Sequence, residues 1–191
     1  MKLLNFFDEP SVQAAARRLY VHAVDQARQP EFYLHRGVPD TPDGRFDMVV
    51  LHVVLVMRRL KRDHDQAAET AQALFDLMFA DMDQNLREMG VGDVGVGPRV
   101  KAMAKGFFGR LAAYDLALNA EDNAALCAAL RRNLYRKCAP LDRDVAAVAH
   151  YMRQEAAKLD ALPIKSLLDG TLPSPARTGP PGLSEDASSL I

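Results

Sequence analysis

Tryptophan is absent, and aromatic residues make up only 7% of the 191 positions. A β-sandwich fills its pleated faces with aromatic and β-branched residues, so this scarcity, beside abundant Ala and Leu, favours helix packing. Cysteine is limited to Cys127 and Cys138, eleven residues apart, with no Cys-x-x-Cys and no clustered histidines. That excludes a disulfide framework or a zinc knuckle, and a reducing compartment is the simpler setting. Neither sign of charge prevails: 24 basic residues meet 25 acidic ones for a net charge of −1. A protein whose main work is coating nucleic acid is thereby excluded and no DNA partner is expected, although local basic patches stay open. Long hydrophobic runs are missing too. The most apolar stretch, residues 46–60, is interrupted by Asp47 and His52 and stopped by Arg58, Arg59, Lys61 and Arg62. It falls short of the roughly 20 apolar residues a membrane span needs. The apolar start at residues 1–7 is cut off by Asp8 and Glu9, with no secretory h-region and none of the Arg-rich character of a mitochondrial presequence. The protein is expected to stay in the compartment where it is made.

What is present suits one domain of ordinary size: 49% apolar and 26% charged residues can bury a real core. Ala14, Val21 and Val24 give an amphipathic helix over residues 10–27, punctuated by Pro10 and Pro30. Residues 29–45, with Pro30, Gly37, Pro39, Pro42 and Gly44, read as a long loop. The run over 46–60 tempts a strand reading, but no second strand exists to pair with it, so a buried helix is expected. Residues 66–89 form a long helix closed by Gly90, and 90–97 a glycine connector. Pro98 is expected to open the next helix, with Val100, Met103, Phe107, Leu111, Tyr114 and Leu118 on its inner face. Further helices follow over 121–137 and from a cap at Asp142 to about 159. The expectation is an all-α, single-domain bundle of about six helices. Residues 1–9 are an N-terminal extension, 10–162 the helical domain, and 163–191 a Pro-rich tail of which Ile164, Leu167 and Leu168 dock first.

Few side chains suggest chemistry. Asp76, Asp81 and Asp83 share a helix with Glu88, but Asp81 points away from the face of the other two and no Glu-x-x-His exists. A solvated or ion-paired face is the simpler reading. His52 breaks an apolar helix; a core histidine bonded to a neighbour is simpler than a ligand or catalyst. His22 and Asp25 are placed to pair locally, without a nucleophile nearby, and Cys127 reads as a small buried residue. No phosphate cradle or cofactor fingerprint is present, so no cofactor is expected. Arg99, Lys101, Lys105 and Arg110 surround a helix N-terminal half, either as an anion or RNA contact or as a solvated face. Arg131, Arg132, Arg136 and Lys137 are accounted for by the dipole of the helix they end. The methionines, including Met78, Met82 and Met89 on one inner face, suit core filling or an adaptable groove for an apolar partner equally well.

Three separated blocks agree in order and spacing with a known family. They are Phe32-Tyr33 with 37–48, Leu51-His52 and Arg58-Arg59-Leu60; then Leu74-Phe75-Asp76, Met78-Phe79, Asp81-Met82-Asp83 and 86–93; then Arg99-Val100-Lys101, Met103 and 107–110. Over roughly residues 10–160 the chain resembles the ubiquinol–cytochrome c chaperone family, in its short alphaproteobacterial form. It departs from the pattern at Pro98, where a Lys is expected. The resemblance implies an all-α assembly factor and not an enzyme. Mitochondrial relatives act with a small helical partner near the ribosome exit, bind newly made cytochrome b and promote assembly of the cytochrome bc complex.

The expectation is therefore a chaperone in the cytoplasm, peripheral at the inner membrane, that masks a client segment in an apolar groove. The expected partner-binding residues are Gly37, Pro39, Asp40, Asp43 and Arg45 with His52 beneath, Asp76, Asp81, Asp83 and Arg87, and Arg99, Lys101 and Arg110. Two rivals stand beside it: a ribosome- or RNA-bound adaptor using Arg99, Lys101, Lys105 and Arg110, and a helical haem or metal enzyme using His52 and the aspartates.

Overall fold

The most apolar stretch becomes the central helix of the computed structural model, which describes residues 11–173. This helix, α3 (Pro42–Arg62), buries every residue from Val50 to Val56, so it has no solvent face in its middle turns. The chain reaches it through α1 (Val12–Ala27) and a short α2 (Pro30–His35), and continues through α4 (His64–Glu88) and α5 (Asp93–Leu118). The remaining elements are α6 (Ala124–Asn133), α7 (Asp142–Ala161) and α8 (Ile164–Leu168). All eight elements among the described residues are helices, six long and two short, and α3 packs against α1, α4, α5 and α7.

Local chemistry explains where the expected boundaries move. Residues 29–45 are not one loop. Pro30 ends α1's reach and also stands at the first turn of α2, where its missing N–H costs nothing. At the far end Thr41 Oγ1 accepts the Gly44 N–H at 3.1 Å, with Pro42 and Asp43 in the first turn. This cap starts α3 four residues before the apolar run does. The true link is only residues 36–41.

The glycine connector also shrinks. Gly90, at φ 81°, closes α4 as predicted: its N–H reaches the Arg87 carbonyl at 3.0 Å, and Val91 N–H reaches Leu86 at 3.1 Å. However, α5 begins at Asp93 and carries Pro98 inside it, with buried Val96 holding the early turns. α6 stops at Asn133 rather than near 137, although Leu134 and Tyr135 stay buried beyond it. Asp142 is α7's first helical residue, not its cap, and Cys127 is half-buried rather than buried.

α1 lays Ala15, Ala16, Leu19, Ala23 and Ala27 against α3 and α4; its small residues permit close approach. Ser11 Oγ caps it by accepting the Ala14 N–H at 3.2 Å. After Pro163, α8 buries Leu167 and is stitched back to α1, where Arg18 donates to the Asp169 carbonyl from Nε at 3.1 Å and Nη2 at 2.7 Å. The expected extension at 1–9, Pro10 and the tail over 174–191 lie outside the described residues.

Candidate functional site

The link between α2 and α3 is fastened along its length. Gly37 adopts φ 64° beside Asp144, a conformation glycine takes at no steric cost. Tyr135 donates its hydroxyl to the Arg36 carbonyl at 2.7 Å, and Val38 is buried. The Pro39 carbonyl lies so close to Gly44 that a Cβ there would meet it at 2.0 Å, which is why this first helical turn needs glycine. Asp40 and Arg45 pair at 2.6 Å on the outside, and the Arg45 guanidinium lies 6.0 Å from the Tyr33 ring centroid.

Beneath this link sits a charge cluster assembled from two helices and the segment that follows α6. Asp47 of α3 is 4% exposed and accepts from Arg110 Nη2 of α5 at 2.8 Å and from Arg136 Nε at 3.0 Å. Burial pushes the Asp47 carboxyl upward, against the pull of both guanidiniums. One turn earlier, Asp43 pairs with Lys137 and lies 3.6 Å from Arg136; the Lys137 ammonium holds its carboxyl below the usual range. Helix-dipole placement does not account for Arg136 and Lys137, because α6 ends before them and they reach across to α3. Asp47 was missed as a site residue. Its signal was available: a carboxylate four residues after Asp43 that breaks an apolar run must be paired when buried.

His52 lies one turn further into α3, 4% exposed. Its Nδ1 is 2.8 Å from the Met48 carbonyl and its Nε2 is 2.8 Å from the Tyr151 hydroxyl of α7. Phe32 stands edge-on to both rings, with centroids 5.7 Å from His52 and 5.0 Å from Tyr151. Burial pushes the imidazole pKa down to about 4, so the ring is neutral at physiological pH. The core-histidine reading is the one found: His52 supports the link from below, out of reach of a partner.

The other expected residues do not join this site. Asp76 accepts from Gln72 at 2.7 Å, Asp81 accepts from the Tyr20 hydroxyl of α1 at 2.7 Å, and Asp83 pairs with Arg87 at 2.7 Å, which also contacts Asp93. The aspartates thus serve separate bonds, two within α4 and one to α1, instead of converging. Arg110 turns inward to Asp47, whereas Arg99, Lys101 and Lys105 stay exposed on α5. His22 lies in a surface cleft with Arg17, Arg18, Val21, Asp25, Gly170 and Leu172, and Arg58, Lys61, Arg62, Asp115 and Asn119 line another. The first is an open cleft in which Val21 and Leu172 stand among cations, the second is open and mostly charged, and neither is the long apolar groove expected. Met48, Met78 and Met152 are core filler; Met89 is exposed.

Comparison with known proteins assigns the chain. A family model described as Ubiquinol-cytochrome C chaperone matches residues 34–174. The ubiquinol-cytochrome-c reductase complex assembly factor 1 of Xenopus laevis is 26% identical over 162 residues, 85% of this chain and 80% of that one. The Homo sapiens protein of the same description is 26% identical over 157 residues, 82% of this chain but 52% of its own length. The chain spans about half the length of the human and Mus musculus relatives. The crystal structure of the Cbp3 homolog from Brucella abortus superposes with a TM-score of 0.77 at 36% identity, covering 86% of this chain and 91% of that one. With a family match that takes in α3 to α8 and a solved relative of the same helical architecture, the chain belongs to the ubiquinol–cytochrome c chaperone family.

Proposed function

We infer that this protein is a non-catalytic assembly chaperone for the ubiquinol–cytochrome c reductase complex and that its client is newly made cytochrome b. The observation that carries the reading is the family match across residues 34–174, which includes the whole α2–α3 link. The client-facing surface in this reading is the outer side of that link, where Gly37, Pro39, Asp40, Asp43 and Arg45 are presented with Arg136 and Lys137, and where Leu34 of α2 and Leu141, just ahead of α7, are exposed. Chaperoning by holding needs a surface fixed before the client arrives, since an ordered surface spends less binding free energy on its own immobilisation. The buried Asp47–Arg110–Arg136 cluster and the His52–Tyr151 bond supply that fixity from below. Apolar side chains rimmed by ion pairs suit a membrane-protein segment flanked by polar residues better than a small molecule. The protein would work in the cytoplasm, at the inner face of the membrane that receives the client, with a small helical subunit or the ribosome as further partners.

Deleting the gene in its own host and measuring assembled complex by native electrophoresis tests this directly. Loss of the complex together with lowered cytochrome b, restored by the wild-type chain, is the expected result. Unchanged complex would sink the reading. A chain carrying Leu34→Asp and Leu141→Asp is expected to fold normally yet restore the complex poorly; full restoration would move the client to another surface.

A further inference from the structure

The solvent side of α5 is unlike the rest of the bundle. Val94, Lys101, Lys105, Phe108, Ala112 and Leu116 are spaced by seven, four, three, four and four residues, which places them on one helical face, and all six are exposed. Val94 is 94% exposed, Leu116 76% and Phe108 54%. Single exposed apolar residues are ordinary, but three on one helical stripe are not. Among the described residues, Lys101, Lys105 and neighbouring Arg99 have no ion-pair partner, although the chain as a whole is nearly balanced in charge. Of the two acids of α5, Asp115 pairs with Arg58 and Lys61, each at 3.2 Å, and Asp93 shares Arg87 with Asp83. None of the six stripe residues is acidic, so the stripe itself presents positive charge and apolar tips.

We propose that this face of α5 is a peripheral contact for an anionic lipid bilayer. Cations at the level of the headgroups draw the helix to a negatively charged surface, and Val94, Phe108 and Leu116 enter the boundary between headgroups and acyl chains. An RNA backbone would satisfy the lysines but leave Val94 and Leu116 without partners. Phe108 already stacks on Phe75, with centroids 5.2 Å apart and rings 27° from parallel, so it offers only its outer face. Arg110, which reaches the charge cluster beneath the α2–α3 link, lies on the opposite side of α5 from the stripe, so the stripe can meet a membrane while the link stays open. The inference deepens the membrane-side placement of the proposed function by naming the surface that makes the contact, and its test does not depend on the client.

Co-sedimentation of the purified full chain with vesicles tests it, using phosphatidylcholine alone and phosphatidylcholine doped with phosphatidylglycerol. The wild-type chain is expected to bind the doped vesicles, less so as salt rises, and the neutral vesicles weakly. Each lysine near an anionic surface strengthens binding roughly fivefold, so Lys101→Gln with Lys105→Gln is expected to cost about 25-fold. Val94→Ser with Leu116→Ser is expected to cost at least about tenfold on the same vesicles. All four positions are exposed, so an unchanged thermal melt certifies the fold of each variant. Failure to bind doped vesicles overturns the proposal, as does binding that either pair of substitutions leaves intact. Lysine-dependent binding to purified ribosomes, with none to vesicles, assigns the face to RNA instead. Complex assembly in cells is a separate readout, so failure here leaves the chaperone reading untouched.

Discussion

His52 has two ring nitrogens and both are engaged. The Met48 carbonyl can only accept, so Nδ1 carries the proton, and Nε2 must then accept from the Tyr151 hydroxyl. Tyr151→Phe removes one partner and leaves a buried acceptor unmet, at an expected cost of about 1–3 kcal/mol by chemical denaturation. Adding His52→Leu removes the other polar partner and is expected to recover part of that loss, leaving the Met48 carbonyl to its helix bond. The pH dependence has a definite sign. The unfolded imidazole titrates near 6.5 and the folded one at about 4, so the unfolded chain takes up the proton first. The contribution is complete above pH 6.5, shrinks as pH falls between those values, and by pH 4 has cost about 3 kcal/mol. The doubly substituted chain is expected to lose that part of the acid slope; an unchanged slope would assign it to other groups. At this scale the sequence was readable in part. An interrupted apolar run announced a buried, satisfied His52, whereas the partners of Asp47 lie 63 and 89 residues away, and no local pattern encodes such separations.

Helix interiors were easier to read than helix ends. The six long helices expected survive as α1 and α3 to α7, because burying apolar surface dominates the energetics of each. The ends moved where proline has two roles. Pro30 and Pro42 open helices inside what read as a loop, and Pro98 sits within α5 instead of starting it. Inside a helix, Pro98 cannot donate to the Val94 carbonyl, and its ring crowds that carbonyl as well. Pro98→Ala is therefore expected to raise unfolding free energy by roughly 1–3 kcal/mol and to slow amide exchange over residues 94–102. Exchange unaltered there would mean that Asp93 to Gly97 are not helical in solution. The same missing bond leaves α5's first turns less firmly tied than its second half, where Phe107, Tyr114 and Leu118 are buried.

For the whole molecule, membership of one bundle is decided by contacts that close over long separations. α8 has five residues, yet Leu167 is completely buried and Gly170 comes so near α1 that a Cβ there would lie 2.8 Å from the Ala15 carbonyl. Composition alone placed this segment at the start of a tail; its helix is held by α1 and α4 and has too few turns to stand alone. Leu167→Ala in the full chain is expected to cost about 2–5 kcal/mol and to quicken amide exchange in α1 as well as α8. Loss confined to α8 would show that the last helix docks without supporting the first. The Arg18–Asp169 bond spans 151 positions of sequence. During synthesis the first helix must wait, one side bare, until almost everything described here has been translated. A protein proposed to shelter others as they are made thus leaves one edge of its own α1 uncovered even after α3 and α4 have packed on it, and its maturation cannot finish before that late turn is free to swing back.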